Sequence, residues 1–140
     1  MDLGGCGVHF LLSMGYFLKI GMGIGRSTNN YAELVALWLL LHMAKRMDIW
    51  ELQIFGDSRV VIDWFNQESC LHAVNLAQWS KRIRYISSQF GAITCKHIYR
   101  EHNVVADSLS KEALSGLVGL IIWKEYMEMV EIGEGEQYIF

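Results

Sequence analysis

The stretch STNNYAELVALWLLL, from Ser27 to Leu41, limits what this chain can fold into more than any other. Ser27 and Thr28 supply hydroxyl oxygens of the kind that cap a helix N-terminus. Ala32, Leu34, Val35, Leu37, Trp38, Leu39, Leu40 and Leu41 then continue as a helix-favouring, mostly apolar run. A helix this apolar belongs in an interior. Inside it sits one carboxylate, Glu33. An ionised group there is costly without a partner or a metal, although the positive end of the helix dipole relieves part of the cost. Taken alone, Glu33 reads as an ordinary surface residue of the capping turn.

The helix needs something to pack against, and 140 residues at 52% hydrophobic are enough for one domain with a real core and too few for two. Mean hydropathy is +0.20, yet no apolar run reaches the roughly 18 residues of a membrane span. Leu34 to Met43 is too short and carries His42, so no membrane association is expected. The N-terminus MDLGGCGVHF lacks the basic region of a secretory signal. Cys6, Cys70 and Cys95 are odd in number and have no CxxC spacing, which points to a reducing compartment, cytoplasm or nucleus. A net charge of −3 gives no global attraction to polyanions, so any nucleic-acid binding must be local or metal-mediated.

Along the chain, residues 7–24 hold two β-favouring runs around Ser13, Met14 and Gly15, and predict a hairpin. A helix is expected from Thr28 to Met47, followed by a strand over Trp50 to Phe55. Gly56, Asp57 and Ser58 make the turn into a helix with Val60, Val61, Trp64 and Phe65 at helical spacing. Between Asn75 and Phe90 a further helix carries the stripe Leu76, Trp79, Ile83, Ile86 and Phe90, with Lys81, Arg82 and Arg84 off it as a solvated face. Residues 92–99 predict a strand and Val104 to Leu114 a closing helix containing Asp107. Beyond Ser115, GLVGLIIWKEYMEMV suits strand or helix, and EIGEGEQYIF reads as an acidic, Gly-broken tail.

This order gives an α/β layer architecture in which Glu33, Asp57 and Asp107 each stand at an element end or in the first turns of a helix. Carboxylates gathered there suit Mg²⁺, a hard cation that takes oxygen ligands. Two such ions about 4 Å apart clamp the attacking and leaving oxygens of a phosphodiester displacement. One at a time, each has a plainer role: Asp57 as a helix N-cap, Asp107 as a solvated helix residue, Glu33 as a dipole partner.

Three strings carry a resemblance. STNNYAELVAL resembles the first helix of the ribonuclease H-like superfamily, GDSRVVIDW its Asp-Ser strand-to-helix junction, and REHNVVADSLSK its closing segment in the plant retroelement, reverse-transcriptase-associated type. Together they span roughly residues 5–115, in the family's order, which leaves 116–140 as a C-terminal extension. The resemblance implies a mixed sheet flanked by helices and an enzyme that cuts the RNA strand of RNA/DNA hybrids endonucleolytically with two divalent metals, Mg²⁺ or Mn²⁺. It makes Glu33, Asp57 and Asp107 metal-binding catalytic acids. His102 falls where the family often has a histidine that assists proton transfer or product release, and a solvated loop histidine is the equal alternative. Asn29, Asn30 and Arg59 match positions that contact the hybrid, and the two amides also suit plain capping.

One departure bears on activity. The family's first acid lies on an opening central strand before a Gly-rich turn, and GGCGVHF resembles that turn, so this strand and its ligand are not found in the string. The expectations are low turnover, one metal ion in place of two, and a sheet lacking its middle strand. LVGLIIW, residues 117–123, is then expected as an extra strand or loop on the outside and not as a replacement in the centre, because a central position needs a long crossover. The alternatives to catalysis are a nucleic-acid-binding module without hydrolysis and an inactive structural fragment.

Overall fold

The computed structural model describes residues 2–13, 16–27, 29–56, 58–67, 76–97, 120–128 and 130–138. Its chain forms two compact units, residues 1–32 with 104–140, and residues 33–103.

The first unit is built on the expected hairpin. Strands β1 (Asp2–Ser13) and β2 (Tyr16–Ser27) pair antiparallel from Asp2↔Ser27 to Ser13↔Tyr16, with irregular register at Gly4/Gly5 and Leu11/Ser13. On the other side of β2 lies β5 (Leu120–Met127), registered from Tyr16↔Met127 to Met22↔Ile121, and β6 (Val130–Tyr138) follows beside β5. The order β1-β2-β5-β6 is wholly antiparallel. Leu120 to Trp123 therefore joins the outer side of the hairpin, as the cost of a long crossover leads one to expect, and the strands of residues 33–103 form a separate sheet.

The acidic, Gly-broken tail is a correction. EIGEGEQY is strand β6, and its glycines are what make it one. Trp123 stands opposite Gly135, and a Cβ added to Gly135 would overlap the indole ring. A Cβ at Gly133 would come within 3.1 Å of Glu125 Oε2. The glycines thus leave the room that the large β5 side chains fill, a packing of aromatic against glycine that offsets the poor strand preference of Gly. Glu131, Glu134 and Glu136 are exposed on this last strand of the sheet, where charge discourages further strand pairing. The Lys124–Glu131 pair at 3.6 Å is about half exposed on both sides and adds little. Gly135→Ala is expected to cost about 1–2 kcal/mol by overpacking, read by denaturant melting. Gly133→Ala should cost less, since a flexible Glu125 can move. Equal stability of Gly135→Ala and wild type would contradict this packing.

The second unit holds most of α1 (Asn29–Arg46), then β3 (Glu51–Gly56), α2 (Arg59–Phe65), α3 (Ala77–Ser87) and β4 (Ala92–His97). On α1, Leu34, Val35, Leu39, Leu41 and Ala44 are completely buried, which accounts for the apolar run. The helix stops in a Schellman turn although no glycine is present: Asp48 takes φ 57°, its N–H donates to Lys45 O, and Ile49 N–H donates to Ala44 O. Asp tolerates this left-handed conformation better than most residues. Strands β3 and β4 run parallel, Glu51↔Ala92 to Gly56↔His97. Their inner positions Ile54 and Cys95 are buried and alternate with exposed ones. Trp79, Ile83 and Ile86 form the buried stripe of α3, as the spacing predicts.

Polar ties also hold these elements. Asn66 Nδ2 donates to Cys95 O at 2.8 Å, fastening the end of α2 to β4. Arg84 is a second correction. It is not part of a solvated basic face, since its guanidinium donates to Phe65 O at 2.9 Å and Trp64 O at 2.6 Å. It also lies 4.3 Å from the Trp64 ring centroid. Burial of the Cys95 thiol pushes its pKa up to about 12 from the usual 9. An unfolded Cys95 loses its proton first, so this contribution to stability is whole below about pH 9 and declines as pH rises toward 12. At pH 8 the Cys95 peptide is expected to resist iodoacetamide in the native protein and to be labelled in urea, as mapped by mass spectrometry. Rapid native labelling would contradict its burial.

Candidate active site

Glu33 lies one residue beyond the first turn of α1, half-buried, directly before the fully buried Leu34 and Val35. The packing of those two neighbours fixes the helix at this point, so the carboxylate is carried by a rigid element and not by a loop. Asn29 and Asn30 open the same helix, and Asn30 is exposed.

The junction after β3 is defined on both of its sides. Gly56 ends β3, is buried, and would bring a Cβ to 3.0 Å from Ile62 Cδ1, so a glycine here lets strand and helix approach. Ser58 is the N-cap of α2, its hydroxyl accepting from Val61 N–H at 3.3 Å. The capping role that Asp57 had as its plainer alternative is therefore held by Ser58. Asp57 itself, with His102 and Asp107, lies outside the described residues, and so does the predicted helix over 104–114.

Arg59, the first residue of α2, is exposed and reaches across to β4. Its guanidinium donates to His97 Nδ1 at 3.2 Å. Because Gly56 and His97 are register partners at the carboxyl ends of two parallel strands, Arg59 and His97 stand at the end of the sheet where α/β proteins place their ligands. His97 was not singled out from the sequence. Its signal was its position, the last residue of a strand parallel to the one that ends at the Asp-Ser junction. Among the described residues no group of three or more His, Cys, Asp or Glu side chains is assembled to hold a metal, and of the three proposed ligands only Glu33 is described. No helix among the described residues is long and apolar enough to cross a membrane.

A concavity lies between α1 and α3. Trp38 stacks on His42 with centroids 4.9 Å apart and meets Trp79 edge-on at 5.4 Å. Burial and then the nearby Arg46 charge hold the His42 pKa below its ordinary value, so the imidazole is neutral at physiological pH.

Residues 2–113 match the family described as reverse transcriptase-like. Among solved structures, the chain is similar to RNase H1 from the halophilic archaeon Halobacterium salinarum NRC-1, at 26% identity and TM-score 0.65, covering 73% of this chain and 86% of that one. It is similar to the N-terminal RNase H domain of rv2228c from Mycobacterium tuberculosis at 21% identity and TM-score 0.66, covering 81% and 98%. A third, LC11-RNase H1 in complex with RNA/DNA hybrid, shares 22% identity and TM-score 0.63, covering 71% and 84%. The latter two likenesses concern the fold. No curated protein matches the chain.

Proposed function

Because this chain belongs to the reverse transcriptase-like family of the ribonuclease H-like superfamily, we propose that it acts on RNA/DNA hybrids and hydrolyses the RNA strand endonucleolytically, within the cytoplasm or nucleus. The observation that carries this reading is the family match over residues 2–113, which spans all three quoted strings. One of the solved RNase H1 structures of like fold is itself in complex with an RNA/DNA hybrid.

In this reading Glu33, Asp57 and Asp107 hold Mg²⁺ or Mn²⁺, and a donor set made only of carboxylate oxygens fits such a hard cation. When bound, the metal supplies charge neutralisation at the scissile phosphate and lowers the pKa of a coordinated water. The chain's own residues position the substrate. Asn29 and Asn30, at the start of α1, present amides to the hybrid backbone. Arg59 presents a guanidinium to a phosphate, with His97 holding one of its N–H groups and so orienting the fork. His102 moves a proton on the product side. A second reading, recognition of the hybrid without hydrolysis, draws on Asn29, Asn30 and the exposed Arg59.

The test offers one labelled sequence as RNA/DNA hybrid, single-stranded RNA and duplex DNA, in Mg²⁺, Mn²⁺ and EDTA. The expected result is slow cutting of the RNA strand in the hybrid alone, dependent on the metal, in keeping with the low turnover expected of a site without the family's first acid. Binding of the hybrid with no cutting in either metal would select the second reading, and cutting of duplex DNA or free RNA at the same rate would overturn the proposal.

A further inference from the structure

A groove of about 570 Å³ with mainly apolar walls runs between the C-terminal halves of α1 and α3, within the range of roughly 300–1,000 Å³ that accommodates small ligands. Its floor is aromatic and braced: Trp38 is stacked on His42 and set edge-on against the buried Trp79. Tyr85, 73% exposed, is the one ring standing at the mouth. Around the rim are Lys45, Arg46 and Arg82, and among the described residues no carboxylate lines the groove although the whole chain carries a net charge of −3. Lys45 and Arg46 lie in the last turn of α1, where they also offset the helix dipole. Arg82 has no such duty. It precedes the last basic residue of α3 and lies 4.8 Å from the Trp79 ring centroid. Flat ring faces beside a local excess of cations are the two components of a surface for unpaired bases and their phosphates.

We propose that this groove docks an extended single strand of nucleic acid, with a base against Tyr85 and Trp38 and flanking phosphates at Lys45, Arg46 and Arg82. The choice of ligand rests on the nucleic-acid reading above and deepens it by naming a second contact surface. Trp38 to Arg46 lie five to thirteen residues beyond Glu33 on one helix, or about 7–20 Å along its axis. A single-stranded extension of a hybrid held near Glu33 spans that distance in a few nucleotides.

The experiment measures fluorescence anisotropy of a labelled oligo(dT) about 15 nucleotides long, within the span that one nucleic-acid-binding fold covers. It uses the full chain, its Lys45→Glu/Arg82→Glu variant and its Tyr85→Ala variant. All three sites are exposed, and circular dichroism checks that each variant is folded. Charge reversal should weaken binding at least about tenfold and flatten the log–log salt slope by about 1.4, the loss of two phosphate contacts. Tyr85→Ala should weaken it by about fivefold or more at unchanged slope. Equal affinity in all three proteins overturns the inference, as does no binding by wild type at about 100 μM, the weak end of non-specific affinity. Displacement of the oligonucleotide by an acidic peptide that binds more tightly overturns it in favour of a protein partner. Hybrid cutting is followed in the same preparations. Oligo(dT) binding lost on charge reversal, in a chain that cuts no hybrid, keeps this inference and removes the hydrolytic reading. Cutting with oligo(dT) affinity indifferent to the variants does the reverse.

Discussion

Arg84→Met is expected to lower the stability of the second unit by about 2–3 kcal/mol. The side chain lies across the C-terminal end of α2, where helix carbonyls have no partner one turn on. Phe65 O and Trp64 O accept from its guanidinium, the second of them also from Gln67 N–H at 3.0 Å, and charge-assisted bonds of this kind are worth roughly 1.5–3 kcal/mol when both partners are shielded. Partial exposure, and the second acceptor bond at Trp64 O, place the expectation below the summed range of about 3–6 kcal/mol. The same planar group lies over Trp64 at 4.3 Å and near Phe65 at 5.6 Å, which adds a smaller cation–π contribution. Burial lowers the Arg84 pKa, but a guanidinium stays charged at any pH where the protein is folded. Methionine keeps the apolar stem and loses both donations, so the loss reports the fork and not the volume. Arg84→Lys should recover less than half of it, because a single ammonium cannot bridge two carbonyls and lie flat on an indole. Arg82→Met, whose cation only covers Trp79, should cost under about 1 kcal/mol. Urea melts of the three variants check this. A full rescue by lysine, or equal losses at Arg82 and Arg84, would show that the tie to α2 carries no weight.

Arg84 also shows what a sequence conceals. In KRIRYIS three cations fall off the apolar stripe, and periodicity assigns all of them to solvent. Only the position of α2 shows that one of them turns inward to meet the carbonyls at that helix's C-terminal end. The long helix was legible, because a leucine-rich run without proline or glycine has few other destinations. The hairpin was legible from its β-favouring runs about a short glycine-containing turn. The junction after β3 was legible in outline, as strand, Gly-Asp-Ser and helix, but the choice of cap between Asp57 and Ser58 needed the backbone. Strand β6 was not legible at all. Glu and Gly are poor strand formers on average, and what reverses the preference is Trp123 lying opposite Gly135, a pairing set by strand register and invisible in either segment alone. His97 and the Trp38–His42–Trp79 cluster were hidden for the same reason: each depends on residues about 40 apart meeting in space. Among the proposed acids, Glu33 taken alone read as an ordinary capping-turn residue and gained its role through resemblance, and the structure places it half-buried on the apolar helix. Asp57 and Asp107 were read through resemblance, and they lie outside the described residues.

Glu33→Gln and Asp57→Asn are each expected to reduce hybrid cleavage on the order of 10³-fold, about 4 kcal/mol of transition-state stabilisation. Both changes keep size and hydrogen-bonding reach while removing one negative charge from the carboxylate set proposed to hold the metal. Substrate recognition is assigned to other groups, Asn29, Asn30 and Arg59, so hybrid affinity in Ca²⁺ should stay within about threefold of wild type. An Arg59→Ala chain should behave in the opposite sense, losing affinity by about tenfold and flattening its salt dependence by one phosphate contact. The most direct measurement is single-turnover cleavage of a 5′-labelled RNA strand in an RNA/DNA hybrid by wild type, Glu33→Gln and Asp57→Asn, in Mg²⁺ and in Mn²⁺. Metal-dependent cutting by wild type, lost in both variants while hybrid binding persists, is the predicted result. Cutting at the wild-type rate by either variant, or no cutting by wild type with the hybrid bound, would contradict the assignment of this chain as a carboxylate-dependent hybrid nuclease.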